Sequence, residues 1–295
     1  MKKLLLSLLF ITVVSSLILA EDIPPPQIQS DFDGEGRADL AVFRPSDGVW
    51  YLQRSQLGFT AVHFGVATDK IVPADYDGDQ RTDIAVYRPS DGVWYIQRSY
   101  LGFIAIPFGV AEDIPVPADY NYDGKEDIAV FRPSNGSWYI YNLSTNQFYA
   151  FQFGQKGDIP VPADYDGDWK ADIAVFRDGT WYLQRSRDGF TGIQFGQAGD
   201  KPVPQHYDRD FKADLAVFRP INGTWYLQRS ILGFTGFQFG VSTDKPVPTD
   251  YDGDGKADIA VYRNGVWYIQ KSSSGLAVFE FGDASDKPIS NAFVP

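Results

Sequence analysis

Six times along this chain, acidic residues recur in the pattern Asp-x-Asp-x-Asp-Gly-x-x-Asp or a close variant of it. The fullest copy is Asp250, Asp252, Asp254, Gly255 and Asp258. The others begin at Asp31, Asp75, Asp119, Asp164 and His206, and successive starts lie 44, 44, 45, 42 and 44 residues apart. Alternate side chains of a tight loop converge. Carboxylates gathered in that way suit a hard cation that takes about 6–8 oxygen ligands, calcium above all. Without a cation, two carboxylates roughly 4 Å apart repel by about 4 kcal/mol at an effective dielectric near 20. The loop is not an EF-hand, which needs a bidentate Glu at position twelve; here that position is apolar, as at Val261. A single Asp-rich turn could be a turn and nothing more, but six in register favour metal.

The copies are unequal. Loops two, four and six carry four acids each, although Gln80 replaces the position-six glycine in loop two. Loop three has Asn121 at position three, and loop one has the longer Glu35 at position five. Loop five, with His206 at position one and Phe211 at position six, is expected to be the weakest.

The elements that must position these loops are short strands. In residues 72–109, Val72 to Tyr76 is extended, because Pro73 forces its predecessor out of the helical region. Asp83 to Arg88 is an apolar run suited to a strand buried on both faces. Val93 to Arg98 and Phe103 to Phe108 supply two more strands, separated by turns at Pro89 to Gly92 and Leu101-Gly102. In repeats four and six the first of these turns shrinks to Asp178-Gly179 and Asn264-Gly265. Those dipeptides favour two-residue hairpins with positive φ at both positions. Four antiparallel strands repeated at this period make a propeller blade. The expected fold is all-β, a propeller of six four-stranded blades over residues 21–295. Seven blades is the second choice and a β-solenoid the third. Asp22-Ile23-Pro24 and Asp286-Lys287-Pro288 both resemble the segment that precedes a loop, so one of them is expected to complete the first blade.

The repeated Phe-Gly pairs (Phe64, Phe108, Phe153, Phe195, Phe239 and Phe281, each followed by Gly), the acidic loop after them and the apolar strand beyond it resemble the FG-GAP/VCBS repeats of integrin α-subunit heads and bacterial secreted propellers. The resemblance covers residues 22 to 295. It departs at the Gly-Ala-Pro element, which here reads Phe43-Arg44-Pro45 and its equivalents. Ligand binding through an integrin partner subunit is therefore not implied, whereas fold and metal sites are. The resemblance implies Ca2+ held by side chains one, three, five and nine and by the carbonyl of position seven. Residue by residue, that carries over to Asp31, Asp33, Glu35 and Asp39; Asp75, Asp77, Asp79 and Asp83; Asp119, Asn121, Asp123 and Asp127. It carries over equally to Asp164, Asp166, Asp168 and Asp172; Asp208, Asp210 and Asp214; and Asp250, Asp252, Asp254 and Asp258.

Two more sets recur in every repeat: Trp50, Trp94, Trp138, Trp181, Trp225 and Trp267, and the arginines from Arg44 to Arg263. They either pack blade against blade, Arg pairing an acid, or form sugar-stacking pockets between blades. Lys2 and Lys3 followed by the apolar run Leu4 to Leu19 read as a secretory signal over residues 1–20, with no membrane span once it is cleaved. Without Lys2 and Lys3 among the 26 basic residues, the 38 acidic ones leave a net charge of −14, which argues against nucleic acid. There is no Cys and there are only two His, His63 and His206, so no catalytic constellation stands out. The expectation is a secreted or cell-surface monomer, a non-catalytic recognition or adhesion module for a glycan or cell-surface protein. A propeller-type polysaccharide hydrolase or lyase is the alternative.

Overall fold

The computed structural model describes residues 29–289. The signal sequence and the Asp22-Ile23-Pro24 segment lie outside the described residues. Six four-stranded antiparallel sheets follow one another, and no helix occurs among the described residues. Blade two is representative. Its inner strand Lys70–Ile71 pairs with Ile84–Arg88, which pairs with Val93–Arg98, which pairs with the outer strand Gly102–Pro107. The apolar run forms the second strand and is buried on both faces, while the third strand alternates buried and half-buried residues.

The blades pack face to face. Val72, Tyr76, Ala85, Tyr87, Trp94 and Ile96 form one cluster with Ile128 and Val130 of the next blade. Trp94 sits in its centre with no exposed surface, and its Nε1 donates to the Phe108 carbonyl at 2.9 Å. The Phe-Gly glycine has a steric role as well. A Cβ on Gly109, whose φ is +122°, would stand 2.7 Å from the Tyr87 hydroxyl. The short hairpins carry φ of 48° and 88° at Asp178 and Gly179, and 49° and 89° at Asn264 and Gly265, the two positive values that such turns require.

The ring closes through the C-terminal copy of the pre-loop segment. Lys287–Ile289 is the inner strand of blade one, pairing Ala41 with Ile289 and Phe43 with Lys287. One end of the ring carries the acidic loops together with the turns between third and outer strands. The opposite end carries the hairpins between second and third strands. At the loop end, six backbone hydrogen bonds run from blade to blade in a closed circle: Thr82 to Asp31, Glu126 to Asp75, Ala171 to Asp119, Ala213 to Asp164, Ala257 to His206 and Ala38 to Asp250, at 2.7–2.9 Å. Each joins the amide of loop position eight to the carbonyl of position one in the preceding loop.

Deleting Asp286 to Pro295 removes the buried Ile289 and the Arg44–Asp286 ion pair and turns the second strand of blade one into an edge. A loss of about 5 kcal/mol is expected, which lowers the melting midpoint by on the order of 10 °C and promotes oligomers. A truncated monomer with an unchanged midpoint by calorimetry would show that this strand does not close the ring.

Candidate metal centre

Each acidic loop is built by its own backbone. The position-one carboxylate turns inward: Asp75 accepts the amides of Gly78 at 2.6 Å and Asp79 at 3.2 Å on Oδ1, and that of Gln80 at 2.7 Å on Oδ2. Position nine ties the start of the loop to the neighbouring turn. Asp83 accepts the amides of Tyr76 at 2.9 Å and Ser99 at 2.6 Å. Position three reaches the same turn, with Asp77 Oδ2 accepting the amides of Tyr100 and Leu101 at 3.1 and 2.7 Å.

The other oxygen of position three is different. Oδ1 of Asp33, Asp77, Asn121, Asp166 and Asp208 is buried and has no hydrogen-bond partner. A buried oxygen left without a partner costs about 1–3 kcal/mol, and the same atom is left so in five loops of six. Ligand oxygens of Asp31, Asp33 and Asp39 lie within 4.8 Å of one another, as do those of Asp75, Asp77 and Asp83, and of Asp164, Asp166 and Asp172. Asp250, Asp252 and Asp254 converge likewise. So do Asp208, Asp210 and Asp214, and loop five therefore keeps a three-carboxylate cluster despite His206. Converging hard oxygens, with a buried oxygen left without a partner at position three, fit a divalent cation such as calcium.

The electrostatics agree. Burial, with nearby carboxylates adding to it, pushes Asp39, Asp83, Asp172 and Asp258 up to about 7. Burial likewise raises Asp127 to about 7 and Asp75 and Asp214 to about 6. Loop one handles its fifth position separately, because Arg37 pairs with Glu35 at 2.8 Å and holds that carboxyl below its usual range.

The turn between third and outer strands belongs to this site, and the acid pattern alone does not reveal it. Hydroxyls of Ser99, Ser186 and Ser272 donate to Asp79, Asp168 and Asp254 at 2.6–2.7 Å. Ser55 and Ser230 do the same to Glu35 and Asp210. Asn142 replaces the serine in blade three, donating to Asp127 at 2.6 Å. The signal was the recurring Arg-Ser or Lys-Ser step ahead of this turn in five of the six blades.

Loop positions four and six are left-handed in all six loops, which explains the glycines there. The exceptions carry φ of 66° at Gln80, 63° at Tyr122, 70° at Trp169, 67° at Arg209 and 65° at Phe211. Three of these are aromatic and adjacent in space. Tyr122 stacks on Trp169 with centroids 6.4 Å apart, and Trp169 meets Phe211 at 5.1 Å.

Of the two readings of the six repeated tryptophans, packing between blades is what the structure has, and the sugar-stacking faces are corrected. Trp50, Trp94, Trp138, Trp181, Trp225 and Trp267 have no exposed surface, and each indole N–H is spent on the carbonyl of its Phe-Gly phenylalanine. The pleat turns them into the seam between blades, where no ligand reaches. The arginines are also structural. Arg88 pairs both nitrogens with Asp69 at 2.9 Å and lies 4.4 Å over the Tyr95 ring, and the other five repeat this with Asp286, Asp113, Asp158, Asp200 and Asp244.

A family model for the FG-GAP-like repeat matches residues 31–102 and 119–175. Over those residues the chain carries FG-GAP-like repeats, and its six-bladed β-propeller is consistent with a propeller of such repeats. No curated protein matches it. Among solved structures, an Agrocybe aegerita lectin described by its recognition of non-reducing terminal N-acetylglucosamine is 17% identical, with a TM-score of 0.55 over 87% of this chain and 76% of its own. A streptogramin B lyase is 9% identical, with a TM-score of 0.59 over 90% of this chain and 86% of its own. The virginiamycin B lyase of Staphylococcus aureus is 8% identical, with a TM-score of 0.52 over 86% and 88%. At these identities the likeness is one of fold. No helix among the described residues is long and apolar enough to cross a membrane.

The raised carboxyls fix the pH behaviour of the metal-free protein. A carboxyl whose folded pKa of about 7 exceeds its ordinary 3.8 binds its proton more tightly when folded. The stability it gives is complete below about pH 4 and is lost as pH rises through about 7. The melting midpoint in a metal-free buffer should therefore be higher at pH 5.5 than at pH 8. A midpoint that climbs over that interval would contradict the arrangement.

Proposed function

We propose that the protein is a calcium-stabilised, non-catalytic recognition propeller, secreted or held at the cell surface, that binds carbohydrate on its loop end. Bound calcium would supply two positive charges, offsetting much of each cluster's charge and locking the loop. The residues that hold it are those at positions one, three, five and nine, with the unpartnered position-three oxygen as the group that most needs a cation. Calcium in place of a proton restores the stability that the metal-free chain loses on going to pH 8. The increase in melting midpoint on adding calcium should thus grow from pH 5.5 to pH 8. Asp77→Ala should lower the number of bound calcium ions by one in equilibrium dialysis. An unchanged midpoint with and without calcium at pH 8 would remove the metal from the account.

The observation that carries the carbohydrate reading is the Tyr122–Trp169–Phe211 row. Trp169 is the one tryptophan outside the seams between blades, and Phe211 is 44% exposed. Each residue of the row occupies a left-handed site that costs an L-residue about 1–2 kcal/mol and that glycine fills in most other loops. Adjacent aromatic rings on three neighbouring loops, Tyr122 stacked on Trp169 and Phe211 tilted 41° to it, offer a rigid contact for the C–H face of a sugar ring, and carboxylates beside them accept hydroxyl protons.

Trp169→Gly separates binding from folding. It relieves about 1 kcal/mol of backbone strain and gives up ring contacts worth about 0.5–1.5 kcal/mol, so the midpoint should stay within a few degrees. Glycan-array binding by the calcium-loaded protein should fall at least tenfold. Binding that survives Trp169→Gly would place the ligand elsewhere. Turnover of the bound glycan would overturn the non-catalytic reading.

A further inference from the structure

The end of the channel opposite the acidic loops has the opposite charge. The first residue of the inner strand is Lys201 in blade five, Lys245 in blade six, Lys287 in blade one and Lys70 in blade two. All four hold the same register: Lys201 opposite Phe218, Lys245 opposite Tyr262, Lys287 opposite Phe43 and Lys70 opposite Tyr87. Inner strands surround the channel in a propeller, so four consecutive blades set an arc of ammonium groups around its mouth. Blades three and four fill the same position with Ile114 and Ile159. The fold therefore does not need a cation there.

The arc is not neutralised from within. None of these lysines forms an ion pair among the described residues. The aspartates that precede them, Asp69, Asp200, Asp244 and Asp286, and Asp113 of blade three beside Lys70, have buried side chains held by the arginines of the second strands. Lys70 and Lys245 donate to the backbone carbonyls of Asp113 and Asp286 at 2.7 and 2.9 Å, and Lys287 to that of Asp69 at 3.5 Å. One such bond leaves two N–H donors of an ammonium group unused. Lys201 and Lys287 are close enough to act on Lys245, whose ammonium loses protons more easily, first through burial and then through the repulsion of both, against a smaller attraction from Asp286. Burial acts the same way on Lys70 and Lys201. Lysines so arranged in a chain of net charge −12 are ready to take a counter-ion with several charges.

We infer that the hairpin-end mouth of the channel is a binding site for a ligand with several oxyanion groups, held by Lys201, Lys245, Lys287 and Lys70, with Ile114 and Ile159 meeting its apolar side. Oxyanions of this kind come from an acidic carbohydrate chain or from a free inorganic anion. The inference does not depend on the aromatic row at the loop end.

Calorimetric titration of the calcium-loaded protein tests it, with a sulfated oligosaccharide, its unsulfated counterpart and inorganic sulfate as probes. Sulfate esters are chosen because they leave the calcium sites filled. The expected result is binding of the sulfated oligosaccharide that weakens on raising NaCl from 50 to 200 mM, as screening requires, with no binding of the unsulfated chain at this end. Lys201→Gln with Lys245→Gln should weaken it at least tenfold at an unchanged melting midpoint, and Ile159→Lys, which extends the arc, should tighten it. Inorganic sulfate bound as tightly as the oligosaccharide would assign the site to a free anion. No binding of either sulfated probe, or binding indifferent to the lysine substitutions, would overturn the inference. Loss of neutral-glycan binding in Trp169→Gly with oxyanion binding intact would show the two sites to be separate.

Discussion

Confining carboxylates at one end of the ring is the constraint on which the rest of this structure depends. Every acidic loop but the first joins an inner strand to a second strand, and the first leads into the second strand of blade one, so each sets where a second strand starts. Its position-one carbonyl accepts the amide of position eight in the next loop, and the six such bonds close on themselves. The loops are therefore hinge, charge store and inter-blade clasp at once. Like charges buried so closely would pry the clasps open. The backbone amides turned onto positions one and nine, the serine hydroxyls on position five and a proton or cation on the rest are what hold them shut.

This division of labour explains why His206 is tolerated at position one of loop five. The clasp uses the carbonyl, which any residue supplies, and the Ala257 amide meets it at 2.7 Å. Only the side-chain half of the role is lost. Asp208, Asp210 and Asp214 still converge, so a loop that looks poorest by its letters retains the geometry of the others.

Most of the architecture was legible because it is local. The period, the limits of the second, third and outer strands, the Asp178-Gly179 and Asn264-Gly265 hairpins and the strand at Lys287–Ile289 follow from patterns a few residues long. The inner strand instead lies at Lys70–Ile71, just ahead of the extended segment expected at Val72 to Tyr76. The tryptophans left two readings open because alternation shows that Trp94 and Tyr95 face opposite ways without showing which face a neighbouring blade covers. The serine and asparagine partners lie 15–20 residues from the carboxylates they touch, and only the folded turn brings them together. Trp169 and Phe211 stand at positions where glycine is expected, a departure that counting acids passes over.

In a sixfold repeat, positions that must serve the fold repeat, and positions that break the pattern are free of it. The Arg–Asp pairs, the seam tryptophans and the loop clasps occur in all six blades, and each has a packing or hydrogen-bonding reason. The departures are grouped in space. The aromatic left-handed residues fall on loops three, four and five, and the lysines on blades five, six, one and two. Scattered drift would not sort aromatics to one end of a neighbouring trio and ammonium groups to the other end of a contiguous arc. It also would not hold bulky side chains where glycine is cheaper by about 1 kcal/mol. The asymmetry laid over a symmetric frame is thus the part of the molecule that packing leaves unexplained, and it is there that contacts with other molecules belong.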